Sequence, residues 1–351
     1  MRCTIALVCS LFFTFNVYAD VTLYIAPTGD DEASGMSIDQ AFVSLNRAFD
    51  EVRTLQAAFD EPEAITINVR GGQYDLQEPV ILTPEHSGTQ EAPVVVQNYQ
   101  DEKPVISGGK VITGWKEGKN GVWTTRIREV RRGNWDFRQL YVNGELRRRA
   151  RIPNEGFLRV AGHPDGGPDI HYHSNIQRFQ FHEGDIKPDW TNLDDVEVIV
   201  YHFWTDSHLP IESIDTDSNI VKFKHKAGKV FTDDFSDDGA RYIVENVYEG
   251  LDTPGEWYLN KKTGVLSYIP MEGENMETAE VIAPVIPEFI RFEGEPLERK
   301  YVEHIYFQGL SFMYTNWDLP PGNSNDRQGS ASVPAAITLK GARNNSFEMC
   351  T

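Results

Sequence analysis

The densest group of chemically versatile side chains is YHFWTDSHLP, residues 201–210. His202, Trp204, Asp206 and His208 alternate there, so an extended strand would set all four on one face. An indole can stack against a sugar ring while Asp and His hydrogen-bond its hydroxyls. These four are therefore candidate substrate-binding residues. The competing reading is a core-facing tryptophan with polar neighbours at a strand end. Trp317 is a fifth candidate. It opens a loop rich in Pro, Gly and Asn, residues 318–332, and long loops on a regular scaffold line grooves.

Other clusters point to blander roles. His171 and His173 share a face, but a metal needs a third ligand that cannot be placed, so a solvated loop is preferred. TDDFSDDG, residues 232–239, could gather oxygens for Ca²⁺. Its order departs from the standard loop, so it too is read as solvated, and no cofactor is expected. ELRRRAR, residues 145–151, could grip an acidic sugar such as galacturonate through bidentate Arg–carboxylate contacts. Cross-strand pairing with the abundant Asp and Glu is the preferred reading. Asp252 to Gly255 has turn chemistry, and Trp257 is expected to be buried between domains. The chain has no phosphate-binding glycine loop, no Gly-x-Ser-x-Gly elbow and no His-Glu-x-x-His, so nucleotide chemistry, serine hydrolysis and zinc proteolysis are unsupported.

Composition bounds the function classes. The chain has 351 residues, 40% of them hydrophobic and 25% charged, enough for a sizeable core and more than one domain. A net charge of −20 disfavours nucleic acid and an anionic membrane surface. It also weighs against a strongly polyanionic substrate unless a local basic patch exists. MRCTIALVCSLFFTFNVYA reads as a secretory signal, with cleavage between Ala19 and Asp20 and a secreted or periplasmic product. Cleavage would leave Cys350 as the one cysteine, hence no internal disulfide. No second apolar stretch is long enough to span a bilayer. The product is expected to be a monomer.

The elements that must position these residues are short strands. Ile65–Val69, Val80–Leu82, Val94–Val96 and Val105–Ile106 are β-branched runs cut off by Gly, Pro, Asn or Asp. Their spacing is too long for two-residue hairpins and too short for βαβ crossovers. It suits a sandwich or a coil of parallel strands. One amphipathic helix precedes most of them, with Phe42, Leu45, Ala48, Phe49, Val52, Leu55 and Phe59 at helical spacing and Ser44 as N-cap. A strand coil needs its open first rung covered, which favours the coil. From Val111 to Pro270 the texture changes to alternating strands and tight turns. Gln139–Val142 and Glu145–Arg149 flank Asn143-Gly144, a type I′ hairpin signal. Val196–Phe203, Ile211–Ile214, Ile220–Phe223, Glu256–Leu259 and Val265–Ile269 are further strands. From about Pro287 the short-rung texture returns, and it stops in mid-rung at Thr351. The expected architecture is all-β: a right-handed parallel β-helix with an N-terminal capping helix and an inserted antiparallel, sandwich-like domain. The expected division is a signal at 1–19, cap and first rungs at 20–110, inserted domain at 111–286, and returning, truncated rungs at 287–351.

Several stretches together resemble one group of carbohydrate-active proteins. They are YIAPTGDDEASG, AFVSLNRAFDEVR, the long run from VRGGQYDLQEPV to SGGKVITGW, FRQLYVNGELRRRARIPN, YIVENVYEGLDTPGEWYLNKKTGVLSYIP and HIYFQGLSFMYTNW. The group is the right-handed parallel β-helix glycoside hydrolases, most like glycoside hydrolase family 141, whose members are associated with α-L-fucosidase and xylanase activity. The resemblance runs from about Val21 to Thr351. It implies a bacterial exported enzyme that hydrolyses plant cell-wall polysaccharide, pectin or hemicellulose. Glycoside hydrolysis needs two carboxyls flanking the scissile bond. The resemblance places them on rungs later in the chain than Thr351, so no catalytic residue is carried over. Two rival readings remain: a polysaccharide lyase on the same scaffold, and a non-catalytic glycan-binding protein.

Overall fold

The computed structural model describes residues 21–166, 170–233, 238–326, 329–331 and 333–351. The stretch expected to be a secretory signal and the centre of the 232–239 acidic stretch lie outside them. The chain is mostly β, with one long helix.

Strands β1 (Val21–Ile25), β2 (Ile65–Val69), β3 (Gly72–Asp75), β4 (Val80–Leu82), β5 (Val94–Asn98) and β6 (Pro104–Ser107) sort into three walls. The first wall stacks β1, β2, β5, Ile305–Gln308 and Ser346–Glu348, every pairing parallel. Its inward positions form a ladder, Leu23–Ile67–Val96–Phe307–Phe347, because in-register parallel strands place like positions above one another. The Phe307 and Phe347 rings stack at 4.8 Å. The second wall stacks β3, β6 and Ser311–Met313, and the third stacks β4, Ile290–Glu293 and Ile337–Lys340, again in parallel. Strands after residue 287 thus sit directly on strands before residue 108. Side chains from all three walls form one core.

Helix α1 (Leu45–Ala58) starts where the sequence predicts. The Ser44 hydroxyl accepts from Arg47 N at 3.1 Å, and Asp31 in turn holds Ser44. Leu45, Ala48, Phe49 and Val52 join the wall core, so the helix closes it on one side. Gly35 is required here: it takes φ +72°, and a Cβ would lie 2.2 Å from the Phe42 ring.

Between the second and third walls the chain departs on a long excursion. It leaves through β7 (Gly109–Val111) and returns through Val281–Pro284, which pairs antiparallel with β7. Within it, Leu140–Val142 and Glu145–Arg149 form the expected hairpin, with Asn143 at φ 52° and Gly144 at φ 81°. Where an antiparallel, sandwich-like domain is expected, the excursion holds mostly antiparallel sheets. There are two sheets with separate cores. One, built on Leu140, Trp257 and Leu266, includes a parallel pairing between Glu145–Arg149 and Glu256–Asn260. The other, built on Phe179, Val198 and Phe223, is antiparallel. Trp257 lies wholly inside the first of these cores, where its Nε1–H donates to Arg147 O at 3.0 Å, rather than between domains. Among the described residues, no helix is long and apolar enough to cross a membrane.

Candidate functional site

In a stack of parallel circuits, equivalent corners lie one above another. The crossing from second to third wall is four residues long in the first circuit, 76–79. In the next circuit it is the whole excursion. In the one after that it is residues 314–336, which hold no strand among those described. The long loop therefore emerges directly against the excursion and packs on it. His208 N donates to Ser324 O at 2.6 Å, and the Ser324 hydroxyl donates to Lys226 O at 2.6 Å. Trp317 reaches the His208 ring at 5.2 Å.

The expected strand carrying four alternating residues is instead a hairpin. Glu197–His202 and Thr205–Asp215 pair antiparallel around a two-residue turn, Phe203-Trp204, with Phe203 at φ 52°. The register sets His202 opposite Thr205, Tyr201 opposite Asp206, and Ile199 opposite His208. Two turn residues shift the alternation, so His202 shares its face with Ser207 and Leu209, while Asp206 and His208 point the other way. His202 is buried in the excursion's second core region. Its Nδ1 lies 2.9 Å from Val230 O, a pure acceptor, so Nδ1 carries the proton and Nε2 accepts from the Ser207 hydroxyl at 2.8 Å. Burial pulls its pKa down to about 4, with the Val230 hydrogen bond opposing. His202 is thus a structural residue. Trp204, at the turn, is half exposed.

The other face carries the site. Arg138 donates to Glu197 and, at 3.0 Å, to His208 Nδ1. A guanidinium only donates, so neutral His208 holds its proton on Nε2, which faces Asp206 at 3.7 Å. Trp317 lies 5.7 Å from the Arg138 guanidinium, ring to cation. Arg149 holds Glu197 from behind at 3.2 Å and Glu245 at 3.3 Å. Burial alone would raise the Glu197 pKa. The charges of Arg138 and Arg149 outweigh burial and hold it far below the usual carboxylate range. Glu197 is consequently a fixed anion that orients Arg138. The cross-strand pairing preferred for ELRRRAR holds for Arg148, which faces Glu256 on the neighbouring strand; Arg147 instead pairs with Glu274 in a loop, and Arg149 with Glu197 and Glu245 on the other sheet.

Two clefts flank this cluster. One, about 790 Å³, runs between Arg138, Glu197, His208 and His225 on the excursion and Asn316 to Asn323 on the loop. The other, about 370 Å³, is lined by Trp204, Asp206, Arg241, Trp317, Leu319 and Asp326, among others. In the first, partial desolvation raises the Asp318 carboxyl pKa and the Arg138 charge opposes the shift. The residue itself is exposed, and its carboxylate accepts from Asn316 Nδ2 at 2.7 Å. The fold brings together Asp206, His208 and Trp317. It places Trp204 at the rim and removes His202 to the core. His171 and His173 stack at 5.5 Å, and among the described residues no cluster of His, Cys, Asp and Glu could hold a metal. Arg138, Glu197 and Asp318 were missed. The one available signal was Glu197, a charge opening the otherwise apolar run Val196–Val200.

Residues 120–271 match the family model of the GH141 insertion domain. A solved structure described as "Glycoside hydrolase" superimposes with a TM-score of 0.80 at 24% identity, over 94% of this chain and 61% of that one. That likeness shows the fold, and this chain spans about three fifths of that protein's length. A second structure, "The complex structure of XylC with xylose", covers 93% of this chain and 40% of that one at 16% identity, with a TM-score of 0.38, too weak a likeness to argue from. No curated protein matches. Residues 120–271 are thus similar to the insertion domain of glycoside hydrolase family 141, and the chain as a whole shares the fold of a solved glycoside hydrolase.

Proposed function

We propose that the protein is an exported glycoside hydrolase acting on plant cell-wall polysaccharide, pectin or hemicellulose. In this reading the three walls belong to a right-handed parallel β-helix, and the excursion and the loop at 314–336 form one side of the substrate groove. The observation that carries it is the cluster of Trp317, Arg138, His208 and Asp206 where loop and excursion meet, flanked by two clefts. An indole beside fixed donors and acceptors is what a pyranose ring with equatorial hydroxyls needs. The chain is exported by a signal cleaved after Ala19, works as a monomer, and needs no metal.

The test is a screen of the full-length protein on fucosylated pectin and on xylan, with product detection by chromatography. Released saturated sugars are expected, unchanged in chelator. Unsaturated products absorbing in the near ultraviolet, lost in chelator, would assign a lyase instead. Binding without any product would reduce the protein to a glycan-binding module.

A further inference from the structure

Lys229 is 5% exposed, yet among the described residues no carboxylate forms an ion pair with it. Its Nζ donates to His173 Nδ1 at 3.0 Å and lies 4.3 Å from the Trp204 ring centre and 5.2 Å from that of Tyr172. An ammonium has three donors, and among the described residues this one makes a single hydrogen bond, to His173. It borders a cavity of about 340 Å³ shared with His173, Trp204, Thr205, Asn325 and Asp326. Trp204 and Asp326 also line the cleft of about 370 Å³ described above, so the two spaces adjoin. A buried cation without an anion is costly, and aromatic faces offset only part of that cost. Burial indeed lowers the Lys229 pKa, and no anion opposes it.

We propose that Lys229 anchors a subsite for an acidic sugar, its ammonium taking the carboxylate of a uronic acid residue whose ring lies against Trp204. This rests on the glycan reading above and adds the charge class of the ligand. Asp326, on the same cavity, is placed to accept from a sugar hydroxyl. The strongly acidic chain leaves such a ligand few places to dock, which makes a buried cation with no ion pair among the described residues decisive for selectivity.

Calorimetry on the full chain tests it with three probes: an oligogalacturonide, the same oligomer with its carboxyls methyl-esterified, and a sulfated galactose oligomer. The wild type is expected to bind the acid about tenfold more tightly than the ester, as one charge-assisted hydrogen bond provides. Lys229→Met should bring the acid down to the ester's affinity and leave the ester unchanged. Trp204→Ala, at a half-exposed site, should weaken acid and ester alike and serves if Lys229→Met does not fold. Equal affinity of acid and ester in the wild type overturns the acidic subsite while leaving the glycan reading standing. Selective binding of the sulfated oligomer alone overturns the carboxylate assignment. Binding of none of the three overturns both this subsite and the glycan reading.

Discussion

Glu197→Gln is the sharpest perturbation of the candidate site. The carboxylate is 8% exposed and lies between Arg138 and Arg149, the latter at 3.2 Å. At an effective dielectric of about 20, a unit pair at that separation is worth roughly 5 kcal/mol before desolvation. Removing one partner of a buried ion pair costs about 3–5 kcal/mol, because the remaining charge is left stranded. Glutamine keeps the shape and one acceptor, so the lower end, about 3 kcal/mol, is expected. If the excursion unfolds as its own unit of roughly 150–250 residues, that is a fall of roughly 6–12 °C in its midpoint. The pH dependence follows from the depressed pKa. Unfolded, the carboxyl titrates near the ordinary glutamate value, about 4.3. Folded, it titrates well below. In between, the unfolded state binds the extra proton, so the stabilisation is complete above about pH 5 and is lost as pH falls through the folded pKa. Thermal unfolding followed by tryptophan fluorescence from pH 7 to pH 2 measures both effects. A variant within about 1 kcal/mol of wild type at pH 7, with the same acid slope, would refute the electrostatic account of Glu197.

Trp317→Ala removes the ring from Arg138 and His208 and should weaken oligosaccharide binding about tenfold, read by calorimetry, with the fold intact by circular dichroism. His202 should titrate near pH 4 in the folded protein by NMR. Its folded pKa is depressed, so the stability it supports is full above about pH 6.5 and declines as pH falls towards 4; a midpoint at the ordinary value would contradict its burial. Gly294→Ala places a Cβ 2.1 Å from the carbonyl oxygen of Gly341 in the adjoining circuit. Loss of roughly 1–3 kcal/mol in denaturant unfolding is expected, and a neutral result would mean that the two circuits are not packed as described.

Much of the framework was legible because local chemistry and tertiary placement agree. Ile65–Val69 and Val80–Leu82 are strands at the expected limits, Ser44 caps its helix, and Asn143-Gly144 turns its hairpin. The site was less legible for two physical reasons. Phe203-Trp204 is a tight turn without Gly, Asn or Pro, so the alternation across it resembled one strand and put His202 on the wrong face. Arg138, Glu197, Trp317 and Asp318 meet only because corners of successive circuits stack, a relation that local spacing does not carry. The division of the excursion into two cores was not legible either, since strand patterning reports which face is buried and not which other sheet buries it.

The pairing of Gly109–Val111 with Val281–Pro284 has an evolutionary consequence. The guest's two ends meet side by side, so the host experiences its presence as a short bridge, whatever the length of chain beyond. Closure entropy grows only logarithmically with loop length in any case, about 0.6 kcal/mol per doubling. Such a junction lets one guest be exchanged for another, or pruned to a turn like that at 76–79, while the stacked walls keep their register. Variation in what the host carries can then arise by grafting at a single seam.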